Sequence, residues 1–325
     1  MPRAAPPADT VAVLHVRVVS PDHVTGRLVD RLEADSGVVN LVVLRAAAAR
    51  PDRDAVQFDV LTGSANLVLR QLKEFGLDRD SSVAIESVDA VMADEHRMSQ
   101  RRRLYHGEAD PVWELVEARI RDGAEYAPSF FALLVFAGLI GACGILTNSQ
   151  ILIVGAMVVG PEYGAIASVA YGIDRHHWPE VARGLTALVA GFLLAIVVTL
   201  MFALCIRALG KTPQAYLQGT RPVSSLIDAP NLFSVVVAVV AGIVGVLALT
   251  LSKSGAMIGV FISITTIPAA ADTGVSAAYG LWGEAAGSAE QLLLNVGLLI
   301  IVGALALRGQ RYIWRDWDRA IQRPP

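Results

Sequence analysis

Two acidic residues lie inside apolar stretches of the chain, each close to a proline. Glu162 directly follows Pro161, and Asp272 lies four residues after Pro268. Proline removes a backbone N–H and frees a carbonyl one turn earlier in a helix. A carboxylate within a membrane span costs several kcal/mol unless it is paired or hydrated. The combination therefore predicts a cation or proton site at two helix breaks.

Neutral oxygens near these acids could complete such a site, because hard cations take oxygen ligands. The candidate site residues are Glu162, Asp272, Asn148, Ser149, Thr265 and Thr266. The predicted helix breaks comprise Gly160, Pro161, Gly164 and Pro268. An alternative stays open, in which both acids lie near the membrane surfaces and reach water from a plain helical bundle.

The composition favours a membrane protein. Of 325 residues, 54% are hydrophobic and 18% are charged, whereas a soluble domain carries about 25% charged residues. Collagen, coiled coils, disordered chains and fully soluble enzymes are excluded. Two cysteines cannot form a disulfide scaffold or a zinc cluster, and a net charge of -3 gives no sign of a nucleic-acid partner.

Uncharged runs after residue 125 define the predicted membrane spans. Residues 126–161 contain no Asp, Glu, Lys or Arg, and a helix of that length would extend about 54 Å against a hydrocarbon core of about 30 Å. The run must therefore turn back, at the polar residues 147–150. The six predicted spans are 127–146, 150–173, 184–206, 229–252, 254–280 and 291–307. Residues 174–180 are predicted to form a charged loop.

Basic residues are concentrated on one side of these spans. The run Arg101–Arg103 and the arginines of the tail fall on the side of the N-terminus. By the positive-inside rule, both termini are cytoplasmic and the protein lies in the inner or plasma membrane. Residues 309–325 form a basic amphipathic tail that suits an anionic lipid surface.

The N-terminal part reads as a soluble α/β domain. Residues 1–8 form a disordered lead-in, and residues 9–95 alternate strand and helix patterns in the order βαββαβ, the ferredoxin-like arrangement. Residues 96–126 form a linker and an amphipathic helix, which is either interfacial, along the inner membrane surface, or a connector packed on the α/β domain. The domain is either a packing or oligomerisation module or a ligand sensor.

The membrane part contains an internal repeat. Ser168–Gly172 reads SVAYG and Ser276–Gly280 reads SAAYG. The repeat units are 127–208 and 229–308, with three spans each, and an odd number of spans inverts the second unit. Inverted repeats with broken central helices are typical of transporters. The predicted fold class is α+β: a ferredoxin-like domain, then a six-helix transmembrane bundle with an inverted 3+3 repeat and broken second and fifth helices.

The segment from Asn148 through Gly164, with its GAMVVGPEYG run, and the segment Gly259–Ala270 resemble the two conserved blocks of a membrane-protein family. This family is domain of unknown function 389, uncharacterised hydrophobic proteins of bacteria and archaea, here in an actinobacterial Gly-Pro-Glu form. The resemblance covers about residues 127–308. It implies that many relatives lack Glu162, because they carry Ser-Pro-Leu-Met-Gly-Pro at this point. It also implies that members of the Gly-Pro-Glu subgroup carry an amide at the position of Asp272.

The predicted function is transport of a cation or proton, through a channel or carrier. The alternative is a membrane-anchored sensor or scaffold whose N-terminal domain binds a ligand or partner. An enzyme is not predicted, because the spans show no nucleophile–base pair and no metal triad. The expected partners are the lipid bilayer, further copies of the chain, and an inorganic cation or proton, with no cofactor beyond a bound cation.

Overall fold

The computed structural model describes residues 13–49, 52–75, 81–88, 111–251, 259–260 and 265–321. Contacts divide the chain into two compact units, Met1–Leu115 and Val116–Pro325. The predicted lead-in, the basic run Arg101–Arg103, residues 252–258 and the end of the tail lie outside the described residues.

In its described residues up to 88, the first unit consists of one antiparallel sheet and two helices. Its elements are β1 Val13–Ser20, α1 Asp22–Glu33, β2 Val38–Ala49, β3 Asp52–Leu61, α2 Thr62–Glu74 and β4 Ser82–Val88. The sheet order is β2-β3-β1-β4, and every neighbouring pair is antiparallel. The predicted N-terminal α/β domain is therefore confirmed as a four-stranded antiparallel sheet with helices.

The core of this unit follows the periodicity of its elements. Val16, Val18 and Phe58 alternate with outward residues along β1 and β3 and are fully buried. Leu28 and Leu32, four residues apart on α1, cover the same core. Burying each such side chain stabilises the fold by about 1.5–3 kcal/mol.

Strand β2 is longer than its sequence pattern predicts. The pattern indicates a strand over residues 38–44, but β2 continues to Ala49 through a register shift between Leu44 and Ala48. Alanine has low strand propensity, so tertiary pairing with β3 decides the outcome. Within the shift, Ala46 has φ 49°, in the left-handed region.

Asp54 holds this irregular part of β2 in place. Its buried carboxylate accepts hydrogen bonds from the backbone N–H of Ala46 and from Arg45, both at 2.8 Å. The bond from Ala46 lowers the pKa of Asp54, and Arg45 adds to this, against the opposing effect of burial. The ionised carboxylate is therefore part of the fold of the first unit.

The remainder of the described chain is helical. Its helices are α3 Trp113–Asp122, α4 Pro128–Thr147, α5 Gln150–Val159, α6 Glu162–Arg175, α7 Trp178–Ala208, α8 Gln214–Leu217, α9 Leu232–Thr250, α10 Thr266–Ala278 and α11 Trp282–Ile321. A 3-10 turn, Ser224–Leu226, lies in the segment between α8 and α9.

Four of these helices are long and apolar enough to cross a membrane: α4, α7, α9 and residues Trp282–Ile313 of α11. The consecutive helices α5 and α6 pass the same test together, as a pair bent by 51°. Large apolar side chains such as Val189, Leu193 and Met201 are exposed along α7, where lipid would cover them. The chain is therefore a membrane-spanning protein.

Two predicted boundaries differ from the structure. The loop predicted over residues 174–180 is reduced to His176 and His177, because α6 runs to Arg175 and α7 begins at Trp178. Pro179 lies in the first turn of α7, where no backbone N–H is needed. The predicted last span and tail form one 40-residue helix, α11. The predicted span 254–280 includes residues outside the described ranges, so the count of six remains a prediction.

Replacing Asp54 with Asn should destabilise the first unit by about 1–3 kcal/mol, because two hydrogen bonds to an ionised group weaken. Hydrogen exchange of peptides from β2 and β3 in the full chain measures this. Because the folded pKa is lowered, the stabilisation is present above the ordinary Asp pKa of about 3.9 and is lost as the pH falls through the folded value. Asp30→Asn, at an exposed position on α1, is the control. Equal exchange in both variants at neutral pH would contradict the assignment.

Candidate functional site

The first helix break lies at Gly160 and Pro161. Helix α5 ends at Val159 and α6 begins at Glu162, with the axes bent by 51°. A side chain on Gly160 would collide with the Glu162 carboxylate and with Ile267. Glycine therefore lets α10, which carries Ile267, approach the break.

The second predicted break lies at the start of α10. This helix begins at Thr266, so Pro268 occupies its first turn, where the missing N–H costs no intrahelical bond. Residues 261–264, just before it, lie outside the described residues. Pro268 therefore stands at a helix start and does not interrupt a described helix.

Helices α6 and α10 meet at their N-terminal residues. Thr266 Oγ1 donates a hydrogen bond of 2.7 Å to Glu162 Oε1. Glu162 is only 8% exposed, and Thr266 is fully buried. The other carboxylate oxygen, Glu162 Oε2, has no hydrogen-bond partner in the described part of the chain. A buried carboxylate thus retains one unused acceptor where two helices begin.

These two helices extend towards opposite ends of α7. Helix α6 ends two residues before α7 begins. The last residue of α10, Ala278, accepts a hydrogen bond of 2.8 Å from Arg207 in the final turn of α7. Helices α6 and α10 therefore point away from each other, with Glu162 and Thr266 between them.

The lengths of α5 and α6 bear on the depth of Glu162 in the membrane. Helix α5 has 10 residues and α6 has 14, which correspond to about 15 Å and 21 Å of helix. If the bent pair crosses the membrane, its junction lies near the middle of the span. Helix N-termini carry positive partial charge, which stabilises a carboxylate at this point.

Asp272 occupies a separate position further along α10. Its carboxylate is fully buried and accepts hydrogen bonds from Ser224 Oγ at 2.7 Å and Ser288 Oγ at 2.6 Å. These partners belong to the segment between α8 and α9 and to α11. The two predicted acids therefore have different partners and do not form one carboxylate pair by direct contact.

Thr265 connects α10 to two buried amides that the sequence analysis missed. Asn295 Nδ2 donates to Thr265 Oγ1 at 2.9 Å, and Gln291 Nε2 donates to Asn295 Oδ1 at 3.2 Å. With Ser288, these residues recur on α11 at intervals of three and four, which places them on one helix face. The sequence did contain a signal for them, because these polar residues have helical spacing and lie at the start of a predicted span.

Asn148 and Ser149 lie away from the break, in the turn between α4 and α5. Asn148 adopts a left-handed conformation, φ 54°, and donates to the Thr220 carbonyl at 2.9 Å. Ser149 is the N-cap of α5. The length of α5 separates both residues from Glu162, so they shape a turn and do not join the acid.

Gly164 is not part of the break either, because it lies within α6. A side chain there would collide with the backbone of Gly123. The residue therefore serves close packing of α6 against the segment that follows α3.

Comparison with known proteins identifies the helical part. Residues 157–301 match a family model described as domain of unknown function (DUF389). The match confirms the resemblance predicted from the sequence, and residues 157–301 are similar to this family. It includes Glu162, Thr266, Asp272 and Asn295, but not Asn148. No curated protein and no solved structure matches the chain.

Replacing Thr266 with Val should destabilise the helical unit by about 1–3 kcal/mol, because Glu162 would lose its hydroxyl partner while remaining buried. The midpoint of thermal unfolding of the purified protein in detergent measures the change. Thr266→Ser keeps the hydroxyl and should retain most of the stability. Thr273→Val is the control, since the Thr273 hydroxyl bonds only within α10, to the Ala269 carbonyl. Equal midpoints for the Val and Ser variants at Thr266 would show that the contact contributes nothing.

Proposed function

We propose that this protein transports a proton or small cation across the membrane, with Glu162 as the group that binds it. The observation that carries the proposal is the buried Glu162 carboxylate, which has one oxygen bound to Thr266 and the other without a partner among the described residues. An ionisable group at membrane depth is a strong indication of an ion or proton pathway. No enzymatic activity is proposed.

The arrangement of α6 and α10 supports an inverted repeat. Each helix begins at one of the proline-containing segments and has a Tyr-Gly pair near its C-terminus. Tyr171-Gly172 lies within the end of α6, and Tyr279-Gly280 directly follows α10. An arginine lies over each ring: Arg175 is 5.6 Å from the Tyr171 ring centre, and Arg207 is 5.7 Å from that of Tyr279.

Equivalent ends that face opposite ways are what an inverted repeat requires. In transporters with this symmetry, the substrate site lies where the broken helices meet. The contact between Glu162 and Thr266 occupies that position here.

The remaining architecture belongs to the same proposal. Six spans, with residues 254–280 as the fifth, would complete two units of three. The first unit would be a ferredoxin-like domain on the cytoplasmic side of the inner or plasma membrane, and both termini would be cytoplasmic. Arginines on that side support this orientation. Further copies of the chain would assemble through the small-residue helix faces.

Glu162→Gln should abolish ion-dependent transport while leaving the fold intact, because the amide cannot take up a proton or neutralise a cation. Purified protein in lipid vesicles, tested with proton, Na⁺ and K⁺ gradients, measures the flux. Glu290→Gln is the matched control, since Glu290 is an exposed carboxylate on α11. Equal flux through a folded Glu162→Gln variant would exclude Glu162 from the function.

The same variants allow a binding measurement. A ligand that binds only the folded state raises the free energy of unfolding by about 2.7 kcal/mol at a hundred times its dissociation constant. The thermal midpoint of the wild type should therefore depend on one cation or on pH, and Glu162→Gln should lose this dependence.

A further inference from the structure

A row of polar side chains lies between α10 and α11. On α11 it contains Glu284, Ser288, Gln291 and Asn295, spaced four, three and four residues apart. This spacing puts them on one face of the helix. On α10 the row contains Asp272 and Thr265. We call this set the polar row.

Hydrogen bonds join the polar row in two sets, Ser288–Asp272 and Gln291–Asn295–Thr265, and the residue after Thr265 bonds to Glu162. Ser288 donates to Asp272 at 2.6 Å, and Gln291 donates to Asn295 at 3.2 Å. Asn295 donates to Thr265 at 2.9 Å, and the next residue, Thr266, donates to Glu162 at 2.7 Å. Ser288, Gln291 and Asn295 are all at least 97% buried. Polar groups therefore extend from the start of α11 to the helix junction.

One end of the polar row reaches water. This end lies beside the segment between α7 and α9. Arg221 in that segment pairs with Glu284 at 2.7 Å, and the two side chains are 18% and 28% exposed. Other ionisable groups facing Asp272 here are Asp228 and Tyr216. Burial raises the pKa of Tyr216 to about 12, with a further contribution from the Asp272 charge, so the phenol stays neutral at physiological pH.

Two buried acceptors are unused, one within the polar row and one on Glu162. Gln291 Oε1 and Glu162 Oε2 have no hydrogen-bond partner in the described ranges. Buried polar atoms in proteins are almost always satisfied, often by ordered water. Gln291 lies on one side of the hydrogen bond between Asn295 and Thr265, and Glu162 lies on the other. Their unused oxygens therefore indicate positions for water molecules along the row.

We propose that the polar row conducts protons between water at the Arg221–Glu284 pair and Glu162. This inference rests on the proposed function and names its substrate as the proton. A hydrated proton transfers to the Asp272 carboxylate and leaves water. Asp272 passes the proton to water held by the Gln291 and Asn295 amides, and that water passes it to Glu162. Each transfer breaks one O–H bond and forms another, so no other reactant is needed.

The bonding of Asp272 favours a proton over a metal cation. Both of its oxygens already accept a hydroxyl at 2.6–2.7 Å. A cation such as Ca²⁺ takes six to eight oxygen ligands at about 2.3–2.6 Å, whereas Asp272, Ser224 and Ser288 together offer four side-chain oxygens. Hydroxyl groups both donate and accept, and can reorient as a proton passes.

Proton flux in vesicles containing a pH-sensitive dye, with the membrane potential clamped, tests the inference. The variants are Asp272→Asn and Ser288→Ala, which change few atoms, and Asn295→Leu, which removes the amide. Thr273→Val, on α10 but outside the row, is the control, and thermal unfolding identifies the folded variants. We expect Asp272→Asn to reduce proton flux at least about tenfold, equivalent to about 1.4 kcal/mol in the barrier. We expect Thr273→Val to match the wild type.

The outcomes separate this inference from the proposed function. Loss of flux in Glu162→Gln, with normal flux in folded Asp272→Asn and Ser288→Ala, would overturn the polar row and leave the role of Glu162 standing. Flux driven by a Na⁺ or K⁺ gradient but not by a proton gradient would overturn the proton as substrate. Normal proton flux in Glu162→Gln would overturn both.

Discussion

The helical unit depends on the contact between Glu162 and Thr266. A carboxylate buried within a membrane span requires partners, and here one comes from Thr266, the first residue of α10. The contact therefore joins the two elements whose starts define the junction. Gly160 permits the necessary approach, and the bend at Pro161 turns Glu162 towards α10. Changes at any of these positions act on the same junction.

The two buried acids differ in their surroundings, and the proposed mechanism therefore gives them different roles. Asp272 accepts a hydroxyl at each oxygen, so its environment is complete. Glu162 has one partner and one unused oxygen among the described residues, so it retains capacity to bind. In the proposed mechanism Asp272 therefore transfers the proton, and Glu162 holds it at the junction.

The sequence patterns predicted the helices and strands better than they predicted the contacts between side chains. The spacing of Leu28 and Leu32 identified α1, and the placement of Glu162 after Pro161 identified the polar group at the bend. Asn148 lies in a turn away from the junction, and its residue type alone does not distinguish an amide that ends a helix from an ion ligand. The roles of Ser288 and Asn295 could not be predicted, because only the packing of α11 on α10 shows what they face.

The central claim is that the Glu162 carboxyl is the group that binds and releases the transported proton. Infrared difference spectra of the purified protein between acidic and neutral pH observe carboxyl protonation directly. The account predicts a carbonyl band from a protonated, buried carboxyl group that disappears in Glu162→Gln and persists in Glu290→Gln. Identical difference spectra for the wild type and a folded Glu162→Gln variant would contradict it.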